Sequence, residues 1–421
     1  MNLKFLKKNN ITAFQKNILL MFKGTLLAQL TGTIGTIFLA KLYGSEAYGI
    51  FSIFISISSV LTILNTFQYD KSIVTTKIES ENKNLMTALF LLTIFIASIT
   101  FVGYYTYTYY TQTNLLEFSI IVSLYIGSIL LSFNRIHESY FTFKKDFRPI
   151  SKAKIITALL NIIFQFLLFY EYKINGLIYG NLISLFFICI YYFSKNKKHL
   201  VKIDFQLFKR SLITNQTFAQ YLFPSVLVNN LAINLMPILI ATFFSLKDSG
   251  VYFFSLKILA APLFLISSSL SQVYYQKSAE LLFNSKGKLF DLTKKLILSN
   301  LGIMFLFLVM INTFGIFLLE LIFDDNWNNL RVFTLILSFL ILAKSSFNPI
   351  SSIIIVLNKN HIGLYFNIYL LMINLIAIFI GYTTSNILNT VIILSIFGGC
   401  GYIILLFYFL NELQQLKNKH D

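Results

Sequence analysis

Acidic side chains are scarce in this sequence. Its 421 residues hold 17 Asp and Glu against 34 Lys and Arg, with four histidines, two cysteines and a single tryptophan. Each shortage excludes something. Cys189 and Cys400 both fall in apolar stretches, so no disulfide framework is implied and both read as packing residues. His137, His199, His361 and His420 lie in separate segments that neither cysteine joins, which argues against a metal site. No glycine-rich phosphate loop ending in Gly-Lys-Ser/Thr occurs, so the chain is not expected to hydrolyse ATP.

Apolar residues fill the space that charge leaves. They make up 56% of the chain, charged residues only 12%, and the mean hydropathy is +0.72, which places the sequence among membrane proteins. Twelve stretches are candidate spans: 18–40, 47–68, 85–110, 115–134, 151–172, 174–193, 220–243, 249–272, 295–319, 331–356, 362–382 and 386–410. Each is long enough to cross about 30 Å of hydrocarbon at about 1.5 Å per residue, some with tilt. The linkers between them alternate between rich in Lys/Arg and nearly free of them. Both tails and the linkers around Lys71, Arg135, Lys195, Lys277 and Lys359 take 27 of the 34 basic residues; the opposite side takes four, Lys41, Lys173, Lys247 and Arg331. This bias predicts that both termini are cytoplasmic. The net charge of +17 then reflects topology and attraction to anionic inner-leaflet lipid, and basic residues scattered over several linkers do not make a nucleic-acid surface. The basic start of the chain reads as a cytoplasmic tail before an uncleaved first helix, since Lys23 interrupts the apolar run and no small-residue cleavage site follows.

Linkers on the outer side are short, which leaves no external domain for a polymerase or glycosyltransferase. The longest runs from about Glu320 to Leu330; in it Asp324 and Asp325 read as solvated loop acids and Trp327 as an interfacial anchor. A weak repeat organises the whole. Residues Ile37 to Ser52 align without gaps on Ile238 to Phe253, pairing Ile37 with Ile238, Ala40 with Ala241 and Gly49 with Gly250. The expected fold is therefore an all-α polytopic membrane protein of about twelve transmembrane helices. Two six-helix halves, 1–193 and 220–421, flank a basic cytoplasmic linker, 194–219, and are related by a pseudo-two-fold axis along the membrane normal. A substrate path would lie between the halves, near the midplane.

All the acids can be assigned to linkers, tails or helix ends, so Lys23, Lys257 and Lys344 are the only charges expected within the hydrocarbon. An unpaired lysine at a helix centre costs about 2.5–3.5 kcal/mol on insertion scales, so such residues face a wet cavity or an anionic ligand. Lys23 is shallow enough to snorkel instead; Lys257 and Lys344 are deeper. The alternative for those two is a bond to backbone carbonyls freed by nearby prolines. Thr25, Gln29, Thr33 and Thr36 form one polar stripe at helical spacing, and Ser52, Ser56, Ser59 and Thr66 another. Small hydroxyl residues also pack helices together in membranes. The amides of Gln29, Asn230 and Asn234 need either a cavity or an interhelical hydrogen bond. Pro224, Pro237, Pro262 and Pro349 each remove a backbone donor and favour bends.

Further residues carry a resemblance. Gly24-Thr25-x-x-Ala28-Gln29, then Lys41-Leu42-Tyr43-Gly44-Ser45-Glu46-Ala47-Tyr48-Gly49 and Tyr69-Asp70 are followed in the second half by Phe223-Pro224, Gly250-Val251-Tyr252, Ala261-Pro262-Leu263, Ser271-Gln272-Val273-Tyr274-Tyr275-Gln276, Trp327 and Asn348-Pro349. In this order and spacing the sequence resembles the polysaccharide or O-antigen flippases of the Wzx type, in the multidrug/oligosaccharidyl-lipid/polysaccharide exporter superfamily. It departs from their pattern in lacking a Gly shortly before Trp327 and in having Gln68 where a basic residue often precedes the Tyr-Asp pair. The resemblance implies a non-enzymatic transporter of a bacterial inner membrane, without cofactor, that moves polyprenyl-pyrophosphate-linked oligosaccharide by alternating access. The product would serve O-antigen, capsule or exopolysaccharide synthesis, with membrane lipids and the polymerase and chain-length proteins of a glycan pathway as partners. Lys344, Lys257, Lys23, Gln29, Asn230 and Asn234 are the expected substrate-binding residues. A multidrug antiporter of the same superfamily would present a buried acid to organic cations, and a lipid II flippase typically has fourteen helices. A membrane glycan polymerase or ligase is disfavoured by the short outer loops.

Overall fold

The structure is a computed structural model that describes residues 13–75, 78–111, 117–323 and 327–418; within residues 13–22, 264–269, 272–273 and 283–284 it describes the backbone alone. Asp324 and Asp325 lie outside the described residues. Those described are helical, with no strand among them. The first lobe contains α1 (Ala13–Thr66), α2 (Tyr69–Thr75), α3 (Glu79–Thr111), α4 (Phe118–Phe143), α5 (Arg148–Tyr172) and α6 (Gly176–Asn196). A short helix, α7 (Phe205–Thr214), follows, capped by Asp204, whose carboxylate accepts from the backbone amides of Gln206 and Leu207. The second lobe contains α8 (Phe223–Phe243), α9 (Leu246–Asn284), α10 (Lys286–Met310), α11 (Ile316–Ile322), α12 (Leu330–Phe347), α13 (Ile353–Val356), α14 (Asn360–Thr383) and α15 (Ile387–Asn418).

Nine stretches of the described residues are long and apolar enough to span a bilayer, and two of them, Lys23–Thr66 and Arg148–His199, contain a reversal of direction. The first reversal is at Gly44, with φ 77° and ψ 173°, a backbone conformation essentially reserved for glycine. The space around it is open, so the backbone angle alone demands the residue. Beyond it the chain doubles back, and the Tyr48 hydroxyl donates to the Thr36 carbonyl at 2.9 Å. The second reversal is between α5 and α6, where Lys173 takes φ 44°. Successive long helices then run antiparallel and alternate ones parallel, as serial crossing requires. Gln165 on α5 reaches Leu177 on α6 while Thr157 meets Ser184, an antiparallel pair. Ile336 and Phe347 on α12 meet Ser395 and Phe409 on α15, a parallel one. Apolar side chains such as Phe305, Leu306, Phe379, Ile404 and Phe407 cover the outside. The protein is a multi-pass membrane protein.

The two lobes meet along α1, α8 and α9, and the repeat read from the sequence places its own members at that meeting. A Cβ on Gly49 would strike the Leu246 carbonyl, and one on Gly250 would strike the Ser45 carbonyl. Ser45 and Leu246 are themselves repeat-related, at the same offset as the two glycines, so the contact is reciprocal about the axis. Only glycine permits so close a backbone approach. The Ser52 and Ser249 hydroxyls hydrogen-bond across it at 3.0 Å. Beside this crossing lies a buried aromatic cluster of Tyr48, Phe254, Phe323 and Trp327. Trp327, expected as an interfacial anchor, is 4% exposed and part of the core instead, because Tyr48 of α1, Phe254 near the start of α9 and Phe323 just after α11 pack around it. Cys189 is buried as expected, whereas Cys400 lies on the apolar exterior.

Prolines act at three places. Pro237 and Pro262 lie inside α8 and α9, and Asn348-Pro349 ends α12 in a turn of 3-10 helix. The span expected over 331–356 is thus two helices, α12 and α13, with a break between them.

Candidate functional site

A cavity of about 650 Å³ lies in the first lobe, walled by α1, α4, α5 and α6, and is closed on the side of the second lobe by Phe253 and Lys257 of α9. Each helix contributes polar groups at helical spacing. From α1 come Thr25, Gln29, Thr33 and Thr36, so the first polar stripe does face this space. From α5 come Lys154, Thr157, Asn161 and Gln165, a stripe of the same period that the hydropathy reading passed over. Asn181 on α6 donates to Asn161 at 3.2 Å, and Gln165 donates to the Leu177 carbonyl at 2.9 Å. The amides are thereby fixed, each with polar capacity left toward the cavity.

Charge concentrates at the end near the basic linkers. Arg135 and Glu138, three residues apart on α4, share the wall with Lys154 and, deeper, Lys257. Glu138 is the one carboxylate in this wall, but Arg135 has a second, Asp70, behind it. Glu138 accepts a hydrogen bond from Tyr192 at 3.2 Å, and Lys154 donates to Thr25 at 3.2 Å. Arg135 is held in place from behind: it donates to Gln68 on the turn after α1 at 3.3 Å and to Asp70 in the first turn of α2 at 3.4 Å. Phe67 and Gln68 take positive φ there, which turns Asp70 inward until it is fully buried. Gln68, the departure noted in the sequence, suits this setting, since a cation at 68 would oppose Arg135. Asp70 also lies 3.5 Å from Lys71. Among the described residues Lys257 makes no ion pair; its Nζ lies 5.8 Å from the Phe253 ring.

The six expected site residues separate. Gln29 and Lys257 line the cavity together. Lys23 is exposed on α1 outside the cavity wall. Lys344, on α12, is part-buried, without a hydrogen bond or ion pair among the described residues, and is not in this wall. Asn230 instead bonds Ser59 across the lobe interface at 2.7 Å, and Asn234 donates to the Asn230 carbonyl one turn back. With Ser52 also bonded across the interface, the second polar stripe packs helices. Arg135 and Glu138 were missed because the span expected to end at 134 continues as helix to Phe143, whereas Lys154, inside the expected span 151–172, was counted with the basic linker before it. Losing hydropathy is not losing helix. One acid, Glu138, therefore reaches the cavity, against the expectation that acids stay in linkers and at ends.

Comparison with solved structures shows the fold. The lipid II flippase MurJ in an inward closed conformation superposes with a TM-score of 0.70 at 14% identity, over 95% of this chain and 90% of that one. An inward-facing multidrug resistance MATE family transporter of the MOP superfamily gives 0.61 at 13%, over 96% of each chain. A MOP superfamily transporter from Pyrococcus furiosus, described as having a binding pocket of reverse polarity, gives 0.59 at 14%, again over 96% of each. No curated protein matches by sequence. Residues 38–331 match the family described as polysaccharide biosynthesis protein, and the chain, well over half of it matched, belongs to that family.

Proposed function

We propose that this protein is a lipid-linked oligosaccharide flippase, moving polyprenyl-pyrophosphate-linked glycan repeat units from the inner to the outer face of the bacterial cytoplasmic membrane. The observation that carries the reading is the cavity closed by α9, whose wall brings together Lys154, Lys257, Glu138 and Arg135, the last already paired with Asp70. A pyrophosphate entering hydrocarbon loses hydration, and Lys154 and Lys257, which have no ion pair among the described residues, offset that loss. Amides and hydroxyls of Gln29, Thr33, Asn161 and Asn181 suit a hydrated sugar. The polyprenyl tail stays in lipid.

In this reading both termini are cytoplasmic and the chain crosses about twelve times, with halves 1–193 and 220–421 joined by the linker 194–219. The cavity extends from Arg135 and Lys154 near the basic end to Thr36 and Leu39, beyond which the Gly49–Gly250 crossing and the Trp327 cluster bring the lobes together. That supports a state closed to the outside. Outward movement of an anion is downhill in an inside-negative potential by about 2.3 kcal/mol per charge per 100 mV. The cationic wall speaks against export of organic cations.

Deleting the gene tests the class. Loss of the surface or secreted glycan, with lipid-linked repeat units retained on the cytoplasmic face, is expected. Unchanged glycan with raised sensitivity to cationic dyes would identify a multidrug antiporter instead, and arrested peptidoglycan synthesis would identify a lipid II flippase.

A further inference from the structure

A second concavity lies on the opposite side of the second lobe, away from the axis. It is a groove of about 720 Å³ between α10 and α15, lined by Phe290, Ile297, Leu298, Ile404, Phe407 and Leu410 along its length and by Lys294, Asn411 and Gln414 at one end. Asp291, Lys295 and Ser299 continue that polar end as a shelf on α10, the carboxylate of Asp291 lying at its edge nearest Lys417. The two helices run antiparallel, and their basic ends are tied by Lys417, which bonds Asp291 at 3.3 Å and lies over the Phe290 ring. About one turn beyond that tie, both helices change polarity at the same level. On α10 Lys294-Lys295 gives way to Leu296-Ile297-Leu298, and on α15 Asn411 gives way to Leu410 and the apolar residues before it.

Two cations nearby are already neutralised. Lys417 has Asp291, and Lys359 has Glu412 at 2.7 Å with the Tyr408 hydroxyl at 2.9 Å. Lys294 and Lys295 are exposed and, among the described residues, have no acid or hydrogen-bond partner; Asn411 and Gln414 have none either. Two free ammonium groups and two free amides therefore stand at the mouth of an apolar groove. The complement of that arrangement is an amphiphile with an anionic head and a hydrocarbon tail.

We propose that this groove binds an anionic phospholipid from the leaflet at the basic end, its phosphate on Lys294 and Lys295 with Asn411 and Gln414 beside it, and an acyl chain along Leu298, Phe407 and Ile404. The site is separate from the central cavity and does not depend on what that cavity carries. A zwitterionic lipid would fill the groove but brings its own cation to the two lysines, so selectivity lies in the head.

The test uses the full-length protein, delipidated in detergent, with thermal unfolding followed as phosphatidylglycerol or phosphatidylcholine of identical chains is added. Phosphatidylglycerol should raise the melting temperature at concentrations where phosphatidylcholine does not. Replacing Lys294→Gln with Lys295→Gln should weaken the phosphatidylglycerol response about thirtyfold, the change that about 1 kcal/mol per lysine near anionic lipid gives. Both lysines are exposed, so the fold should be unaffected. Replacing Lys197→Gln with Lys198→Gln removes equal charge elsewhere on the basic side and should leave the response intact. Leu298→Trp, which fills the groove with both lysines present, should weaken it as well. Equal loss in both lysine pairs would reduce the effect to general surface potential and overturn the proposal. Equal responses to the two lipids, or full competition by chainless glycerol phosphate, would overturn it too.

Discussion

Two lysines separate what a charge in a membrane protein can mean. Lys257 and Lys344 look alike in sequence, each a lone cation in an apolar run, yet the structure gives only Lys257 a place in the central cavity. Lys154 joins it from a stripe of polar residues whose period, 154, 157, 161 and 165, is that of one helix face. If these cations carry the pyrophosphate, Lys154→Ala and Lys257→Ala should each lower glycan display about tenfold or more, the loss expected from a charge-assisted hydrogen bond of roughly 1.5–3 kcal/mol. Arginine at either position should retain part of the activity, keeping the charge with altered donor geometry. Lys23→Ala should be milder, since Lys23 lies outside the cavity wall. Display is to be measured against membrane abundance of each variant. Native export by well-expressed alanine variants at both 154 and 257 would remove the cationic cavity from the mechanism.

At the scale of elements, the helices were legible and their ends were not. Hydropathy finds a span by its apolar middle, so the reversal at Gly44 and the pairing of α5 with α6 were readable as two spans each. It ends a span where polar residues begin. Arg135, His137 and Glu138 were for that reason assigned to a linker, although α4 continues through them: His137 packs among Phe90, Tyr192 and Phe193 and bonds Asn196 at 2.9 Å, while Arg135 and Glu138 face the cavity. The site was thus half legible, through Gln29, Lys257 and the threonines of α1; of the rest, Arg135 and Glu138 depended on where α4 stops, and the α5 stripe from Lys154 to Gln165 lay inside an expected span whose polar face was not read. Trp327 shows a different limit. An outer-loop tryptophan reads as an interface anchor unless its neighbours are known, and here they are Tyr48 and Phe254 from helices far away in sequence. Two glycines on α1 allow the element argument to be tested. Gly44→Ala meets open space but an unfavourable backbone angle, so it should cost roughly 1–3 kcal/mol of stability and leave the lobe contact unaltered. Gly49→Ala has an ordinary helical backbone but meets the Leu246 carbonyl, so it should force the lobes apart and increase reactivity of a cysteine at Ser249 toward a small thiol reagent, in a background without Cys189 and Cys400. Indistinguishable behaviour of the two variants would show that the crossing is not the tight point.

The whole molecule is two lobes joined most tightly at one end. Tight points at that end come in related pairs: Gly49 against Leu246, Gly250 against Ser45, offset by the same distance along the chain. Near the basic end the lobes also touch, at Phe67 with Phe223, and Tyr69 donates to the Leu212 carbonyl of α7 between them, but these involve α8 and its approach and leave the side between α1 and α9 to the cavity. A pseudo-symmetric pair of lobes that alternates access must break one set of contacts to open the other side, and the Ser52–Ser249 hydrogen bond lies within the set that would break. Ser52→Cys with Ser249→Cys, in a chain without Cys189 and Cys400, places two thiols where the hydroxyls are 3.0 Å apart. Oxidation should cross-link them within the monomer, visible as a mobility shift that reductant reverses. Cross-linked protein should fail to deliver lipid-linked glycan to the outer face while the reduced double variant delivers it, because covalent closure of this crossing prevents outward opening. Each single cysteine variant, oxidised in the same way, should remain active. Full transport by the cross-linked form would mean that the lobes do not separate here, and alternating access would have to proceed about some other contact.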